Sequence, residues 1–217
     1  MEPPAICHLG QVDIELLGKR YPRAKHFSTN PDLVANGLKK AFLTLINQPY
    51  FEAMTDKVDL IWSNLELQHH DAPELLIKKW RELLKAEALL MFSYLGPDTG
   101  RGLAKYFDGN DLVSLPSAWD MHDVGDALLK ARFSEPVMDM EYITLDYENF
   151  DLLVSDAFDL GLLKTRSPKL LNLPQDITLK MTLEVVYGHA WTPVHDLSKA
   201  EGGLATISPD QIVRAKH

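Results

Sequence analysis

A chain of 217 residues, 46% hydrophobic and 24% charged, is long enough to bury one substantial core, and a single domain is the expectation. A formal net charge of −9 opposes broad binding to nucleic acid or to an anionic membrane surface. No run approaches the apolar length of a membrane span, and the opening Met1-Glu2-Pro3-Pro4 lacks the basic-then-apolar order of a secretory signal, so a cytoplasmic location is expected.

Short apolar runs alternate with helical patterns along the chain. Ala5 to Leu9 predicts a strand, with the lone cysteine, Cys7, as a packing residue, and Gln11 to Arg20 predicts a helix. Ala24 to Ser28 predicts a strand and Pro31 to Lys40 a helix, with Asn30 as its cap and proline in the first turn. Phe42 to Ile46 and Val58 to Ser63 predict two further strands. Asp71 is placed to cap a helix carrying Leu76, Trp80, Leu83 and Leu84 at helical spacing, with Glu74 and Lys78 four residues apart. Ala88 to Ser93 predicts a buried strand stopped by the turn chemistry of Gly96-Pro97-Asp98-Thr99-Gly100.

The irregular stretch from Arg101 to Trp119 suits a lid or substrate insertion, around 97–120, above the carboxyl edge of a sheet. Val124 to Phe133 predicts a helix, Met138 to Tyr147 a strand, Phe150 to Leu163 a helix and Leu179 to Tyr187 a last strand. The alternation predicts an α/β domain over 1–193 with a largely parallel sheet and seven strand candidates, followed by a tail over 194–217.

Candidate functional residues carry two readings each. Tyr187, His189 and Trp191 alternate along one strand and so share a face, as a pocket wall or as a core aromatic cluster. Asp120, His122 and Asp123 can orient a substrate, while Asp120 is equally suited to capping a helix. Asn64 stands where a parallel strand ends, at the usual mouth of an α/β site, or serves its own turn. The adjacent His69-His70-Asp71 diverge and no second cluster has ligand spacing, so no metal is expected.

The stretches Val58 to Gln68, Leu89-Leu-Met-Phe-Ser-Tyr-Leu-Gly96-Pro97-Asp98-Thr99, Asp120 to Leu128, Pro136-Val-Met-Asp-Met-Glu-Tyr142 and Glu184-Val-Val-Tyr-Gly-His-Ala-Trp191 together resemble the malonyl-carrier-protein O-methyltransferases of biotin synthesis. The likeness spans most of the chain, to about Pro193. It implies a Rossmann-like class I methyltransferase fold: a seven-stranded, mostly parallel sheet with an antiparallel last strand. It implies S-adenosylmethionine as cofactor and the free carboxylate of a malonyl thioester on acyl carrier protein as acceptor. By the same resemblance Leu9, Gly10, Asn30 and Asn64 lie beside the methyl donor, and His69, Asp120, His122, Tyr187, His189 and Trp191 surround the acceptor. A carboxylate is ionised near neutral pH, so this chemistry needs positioning rather than a general base.

The resemblance also marks departures. Where the family has an acidic residue followed by Gly-x-Gly-x-Gly, this chain has His8-Leu9-Gly10-Gln11-Val12-Asp13, with one glycine. Asn30 stands where a ribose-binding acid is expected, the third-strand region Phe42 to Asn47 lacks an aspartate, and Ala86-Glu87-Ala88 replaces a Pro-Gly-Gly turn. Charge-assisted bonds are roughly twice as strong as neutral ones, so weaker binding of the methyl donor is expected. A non-catalytic interaction or regulatory protein on the same fold is the main alternative, and an unrelated small ligand in the old cleft is a third. Arg101 is a candidate partner for the malonyl carboxylate or a solvated charge. The run Lys78-Lys79-Trp80-Arg81 with Lys85 either attracts acidic carrier protein or forms a solvent face.

Overall fold

In the computed structural model, residues 2–10, 13–46, 48–113, 119–172 and 177–194 are described. Seven strands form one sheet: β1 Ala5–Gly10, β2 Lys25–Ser28, β3 Phe51–Ala53, β4 Val58–Asn64, β5 Leu84–Leu95, β6 Ser134–Tyr147 and β7 Leu179–Trp191. Their order is β3-β2-β1-β4-β5-β7-β6. β1 to β5 pair in parallel, and β7 runs antiparallel to both β5 and β6. The helices are α1 Ile14–Arg20, α2 Gly37–Leu45, α3 Pro73–Leu83, α4 Met121–Lys130 and α5 Phe150–Asp159. The expected α/β class, mostly parallel sheet and antiparallel last strand are all present.

Strand alternation divides the core between two faces. On one, Cys7 and Leu9 of β1, Ile61 of β4, Leu90, Phe92 and Tyr94 of β5, and Val186 and Ala190 of β7 pack against Ile77 and Trp80 of α3 and Val124, Ala127 and Leu128 of α4. Trp80 is 1% exposed, and truncating so large a buried ring costs roughly 3–5 kcal/mol. On the other face Leu17 of α1 covers Ile6 and Leu60. A second cluster lies beyond the main sheet, where Leu103, Tyr106 and Phe107 meet Leu153 and Ala157 of α5 and Leu179 and Met181 of β7. This separate core lets β6 and β7 run on past their neighbours.

Several local expectations are corrected. Pro31 to Asn36 is not helical: Asn30 accepts the Asp32 amide in an Asx turn, and Ala35 N–H then donates to the Phe51 carbonyl, which draws the chain alongside β3. α2 starts only at Gly37 and takes in Phe42 to Leu45, expected as strand, so β3 falls later. The described part of that stretch, Phe42 to Leu45, is therefore helix and ends no strand, so the lack of an aspartate there bears on no strand end. Asp71 does not cap α3; Ala72 holds that position with Pro73 in the first turn, and Leu84 begins β5. α5 stops at Asp159 because Gly161, at φ +75°, closes a Schellman turn through Gly161 N–H to Phe158 O and Leu162 N–H to Ala157 O, both within 2.9 Å.

The turn at Ala86-Glu87-Ala88 is a bulge at the start of β5, with Glu87 at φ +55° and Ala88 N–H donating to Thr192 Oγ1 at 2.8 Å. Gln11 and Val12 of the expected first helix, Asn47, residues 114–118 of the expected insertion and residues 195–217 of the expected tail lie outside the described residues. No helix among the described residues is long and apolar enough to cross a membrane.

Candidate functional site

The strand order reverses between β1 and β4, so the crevice beyond their carboxyl ends is the switch point where open α/β sheets bind ligands. Gly10 and Asn64 are the last paired residues there. Gly10 has φ +71°, and a β-carbon on it would stand 2.2 Å from the Asn64 carbonyl oxygen, so only glycine fits. Leu9 points the other way, into the core shared with α3 and α4. Asp13 caps α1 by accepting the Glu15 amide at 2.8 Å.

His8 is turned inward. It is 1% exposed, its Nε2 lies 2.9 Å from His26 Nδ1, and its ring meets Phe51 edge-on at 5.0 Å. Burial, with the His26 ring beside it, pushes the His8 pKa down to about 4, and burial lowers His26 as well. The two rings are therefore neutral at physiological pH, one donating to the other, and the residue at the acidic position of the motif contributes no charge to the crevice. At the end of β2, Asn30 uses its backbone N–H on Ser28 Oγ and its Oδ1 on the Asp32 amide. Cys7 is buried packing, its thiol pushed up to about 12 by desolvation.

Register places Gly10, Asn64, Ser93, Tyr187 and Asp139 in one row across five strands, and Ser28, His8, Trp62, Met91, His189 and Val137 in the next, all on one face. A cavity of about 200 Å³ opens on these rows, lined by Trp62, Asn64, Met91, Ser93, Val137, Asp139, Tyr187 and His189. This volume is below the roughly 300–1,000 Å³ of pockets that take a drug-sized ligand. A larger cavity, about 360 Å³, is lined by Pro22, Ala24, Lys25 and His26, before and at the start of β2, away from the carboxyl edge.

Ser93 Oγ donates to Asn64 Oδ1 at 2.6 Å, and the Tyr187 hydroxyl donates to Glu141 Oε1 at 2.5 Å, a bond that raises the phenol pKa. Trp191 shares the face with Tyr187 but pairs with Leu89, four residues along the strand and roughly 13 Å away, outside the cavity lining. Asp120 and His122 stand apart from this group. They begin α4, on the face of Phe92 and Tyr94, and Asp120 Oδ1 accepts the His122 and Asp123 amides at 2.7 and 3.0 Å, which lowers its pKa. Asp120 is thus a helix cap. Tyr94, buried beside it, has its hydroxyl pKa raised by burial first and then by the Asp120 and Glu184 charges.

His69 is exposed, with Nε2 at 3.3 Å from Gln68 Nε2, while its neighbour His70 pairs with Glu66. Among the described residues no group of three or more His, Cys, Asp or Glu could hold a metal. Arg101 grips Asp98 with both terminal nitrogens at 2.7 and 3.0 Å and lies outside the cavity. Lys78 and Lys79 are a solvent face beside buried Trp80, and Lys85 pairs with Asp59 at 2.9 Å. The sequence reading missed Trp62, Met91, Ser93, Val137 and Asp139. Their only signal was period-two alternation, which becomes a site once the register aligns four strands.

No protein-family model matches the chain. It is 43% identical over 171 residues to a malonyl-[acyl-carrier protein] O-methyltransferase of Gallionella capsiferriformans, covering 70% of this chain and 59% of that one. Proteins of the same name from Laribacter hongkongensis and a Methylovorus species are 37% identical over 153 residues and 35% identical over 171, covering 63% and 71% of this chain. The match spans 52% and 56% of those two relatives, so the chain matches little more than half the length of these proteins. Among solved structures, a Bacillus halodurans protein described as a candidate methyltransferase aligns at TM-score 0.60 and 12% identity, covering 89% of this chain and 94% of that one. The YcgJ protein of Bacillus subtilis aligns at 0.59 and 9% identity, covering 88% and 93%. The fold is the class I methyltransferase fold.

Proposed function

We propose, from the premise that this chain is a homologue of the malonyl-[acyl-carrier protein] O-methyltransferases, that it is an S-adenosylmethionine-dependent methyltransferase whose acceptor is the carboxylate of a malonyl thioester on acyl carrier protein. The observation that carries this reading is the small, mostly apolar cavity adjoining the β1–β4 switch point, with Asn64 common to both. When bound, S-adenosylmethionine supplies a methyl group that a carboxylate oxygen takes as the carbon–sulfur bond breaks.

Gly10 lets the β1 turn approach a nucleoside closely, and Asn30 and Asn64 offer neutral amides at the ends of β2 and β4. These residues fit the methyl donor by shape and hydrogen bonding but without a carboxylate for the ribose. Trp62, Met91 and Val137 offer the acceptor's acyl end an apolar wall. His189 and the Asn64 amide are the groups that would orient the acceptor carboxylate, since no lysine or arginine lines the cavity among the described residues and the Tyr187 proton is given to Glu141. Asp139 opposes a second negative charge, so the carboxylate is expected to lie toward Asn64. No residue is required to move a proton.

The shared methyltransferase name of the relatives does not favour the non-catalytic alternative. The deciding experiment is transfer of a labelled methyl group from S-adenosylmethionine to malonyl carrier protein, followed by mass spectrometry of the ester. A methyl ester on the malonyl group supports the proposal, and its absence at enzyme concentrations equal to substrate overturns it.

A further inference from the structure

The segment after β4 is held in a conformation its residues do not prefer. Leu65 has φ +50°, in the left-handed region where a β-carbon crowds the backbone. Three hydrogen bonds impose it: Leu65 N–H donates to the Ser93 carbonyl at 3.0 Å, Gln68 Nε2 donates to the Leu65 carbonyl at 2.9 Å, and Leu95 N–H donates to Gln68 Oε1 at 3.4 Å. Gln68 is 1% exposed, a polar side chain buried where an apolar one would cost less unless its bonds matter. From the opposite side, Ser93 Oγ donates to Asn64 Oδ1 at 2.6 Å. Glutamine and serine together grip both ends of the Asn64–Leu65 step, and Asn64 and Ser93 both line the cavity. Left-handed backbone at a non-glycine residue persists only where its surroundings over-determine it, and such positions cluster at functional sites.

We propose that Gln68 and Ser93 are positioning residues, locking the Asn64–Leu65 turn so that the Asn64 amide keeps one orientation between methyl donor and acceptor. This rests on the reading of Asn64 as a site residue given above. Ser93 fixes the side chain directly, whereas Gln68 acts through the backbone of Leu65.

The test pairs ¹⁵N relaxation of the Asn64 side-chain amide with calorimetry using S-adenosylhomocysteine, in wild type, Ser93→Ala, Ser93→Thr, Gln68→Leu and Leu65→Gly. The Asn64 order parameter is expected to be near the rigid value of about 0.85 in wild type and Ser93→Thr, and below about 0.6 in Ser93→Ala and Gln68→Leu. Ligand affinity should fall about tenfold in those two loosened variants, a change of about 1.4 kcal/mol. Leu65→Gly should keep or raise the thermal midpoint while losing affinity, a split that a purely structural role would not produce. An Asn64 amide equally rigid in Ser93→Ala and Gln68→Leu, or unchanged affinity where rigidity is lost, overturns the proposal. If wild type binds no ligand, the methyl-donor reading alone fails, and the order parameters then decide the positioning.

Discussion

The carboxylate of Glu184 accepts the amide N–H of Asp98 at 2.6 Å, and through it the first residue of the Glu184–Trp191 motif holds the turn that ends β5. Thr99 doubles the tie, its hydroxyl donating to the Glu184 carbonyl at 3.1 Å and accepting the Glu184 amide at 3.0 Å. Gly96 lies against the same carboxylate, where a β-carbon would stand 2.4 Å from Glu184 Cδ. Two motifs distant in sequence are therefore one joint, and Glu184 serves the fold rather than the acceptor.

Replacing Glu184 with alanine removes the charged partner of the half-buried Asp98 amide and should cost roughly 1–3 kcal/mol. Urea denaturation checks it: the midpoint should fall with little change in slope. Gly96→Ala should destabilise in the same direction, because the buried carboxylate must move.

Gly188 has a comparable structural task inside the motif. A β-carbon there would stand 2.2 Å from Phe92 Cζ and 2.9 Å from Met138 Sδ, so Gly188→Ala overpacks the core and should cost roughly 1–3 kcal/mol. Phe92→Leu in the same chain should recover part of the loss. Additive losses in the double mutant would contradict this packing account.

The His8–His26 pair makes stability depend on acid. The His8 pKa is lowered in the folded chain from 6.5 to about 4, so its contribution is complete above pH 6.5 and is lost as the pH falls through 4. At 1.36 kcal/mol per unit this amounts to an order of 3 kcal/mol. His8→Leu should flatten the pH dependence of the urea midpoint across that window. An unchanged slope would show that the pair is not the source.

The polar groups at the site offer two opposite-signed changes in charge. Asn30→Asp places an acid at the end of β2 and should tighten S-adenosylhomocysteine binding about tenfold, as a neutral contact becomes charge-assisted. Asp139→Asn removes a like charge from the cavity and should lower the KM for a carboxylate acceptor several-fold with little effect on ligand binding at Asn30. Calorimetry and steady-state kinetics separate the two effects.

Six strands were legible because their apolar runs are bounded by turn residues; their alternation with helices implied a largely parallel sheet, and the resemblance added the antiparallel last strand. β3 was not, since Phe51-Glu52-Ala53 is too short to show a period. Phe42 to Ile46 reads as a strand because its apolar residues form a compact run, whereas Phe42 to Leu45 belong to α2. In the structure Leu38, Phe42 and Leu45 of this helix face solvent, at 91%, 60% and 83% exposure, and no core demanded them. Of the candidate site, Asn64, Tyr187 and His189 line one cavity, Asn64 at the end of β4 and the other two on one face of β7. Asp120 and His122 do not join them, because the face on which a helix start lies is set by packing that sequence spacing does not encode. Ser93 and Gln68 were invisible as site residues, since each matters only through bonds to segments set by the fold.

Calorimetric titration of the chain with S-adenosylhomocysteine tests most directly whether the crevice between β1 and β4 still holds a methyl donor. Saturable binding with a dissociation constant in the micromolar range, lost in Asn64→Ala, is expected. The absence of heat and of any thermal shift at millimolar ligand would contradict it.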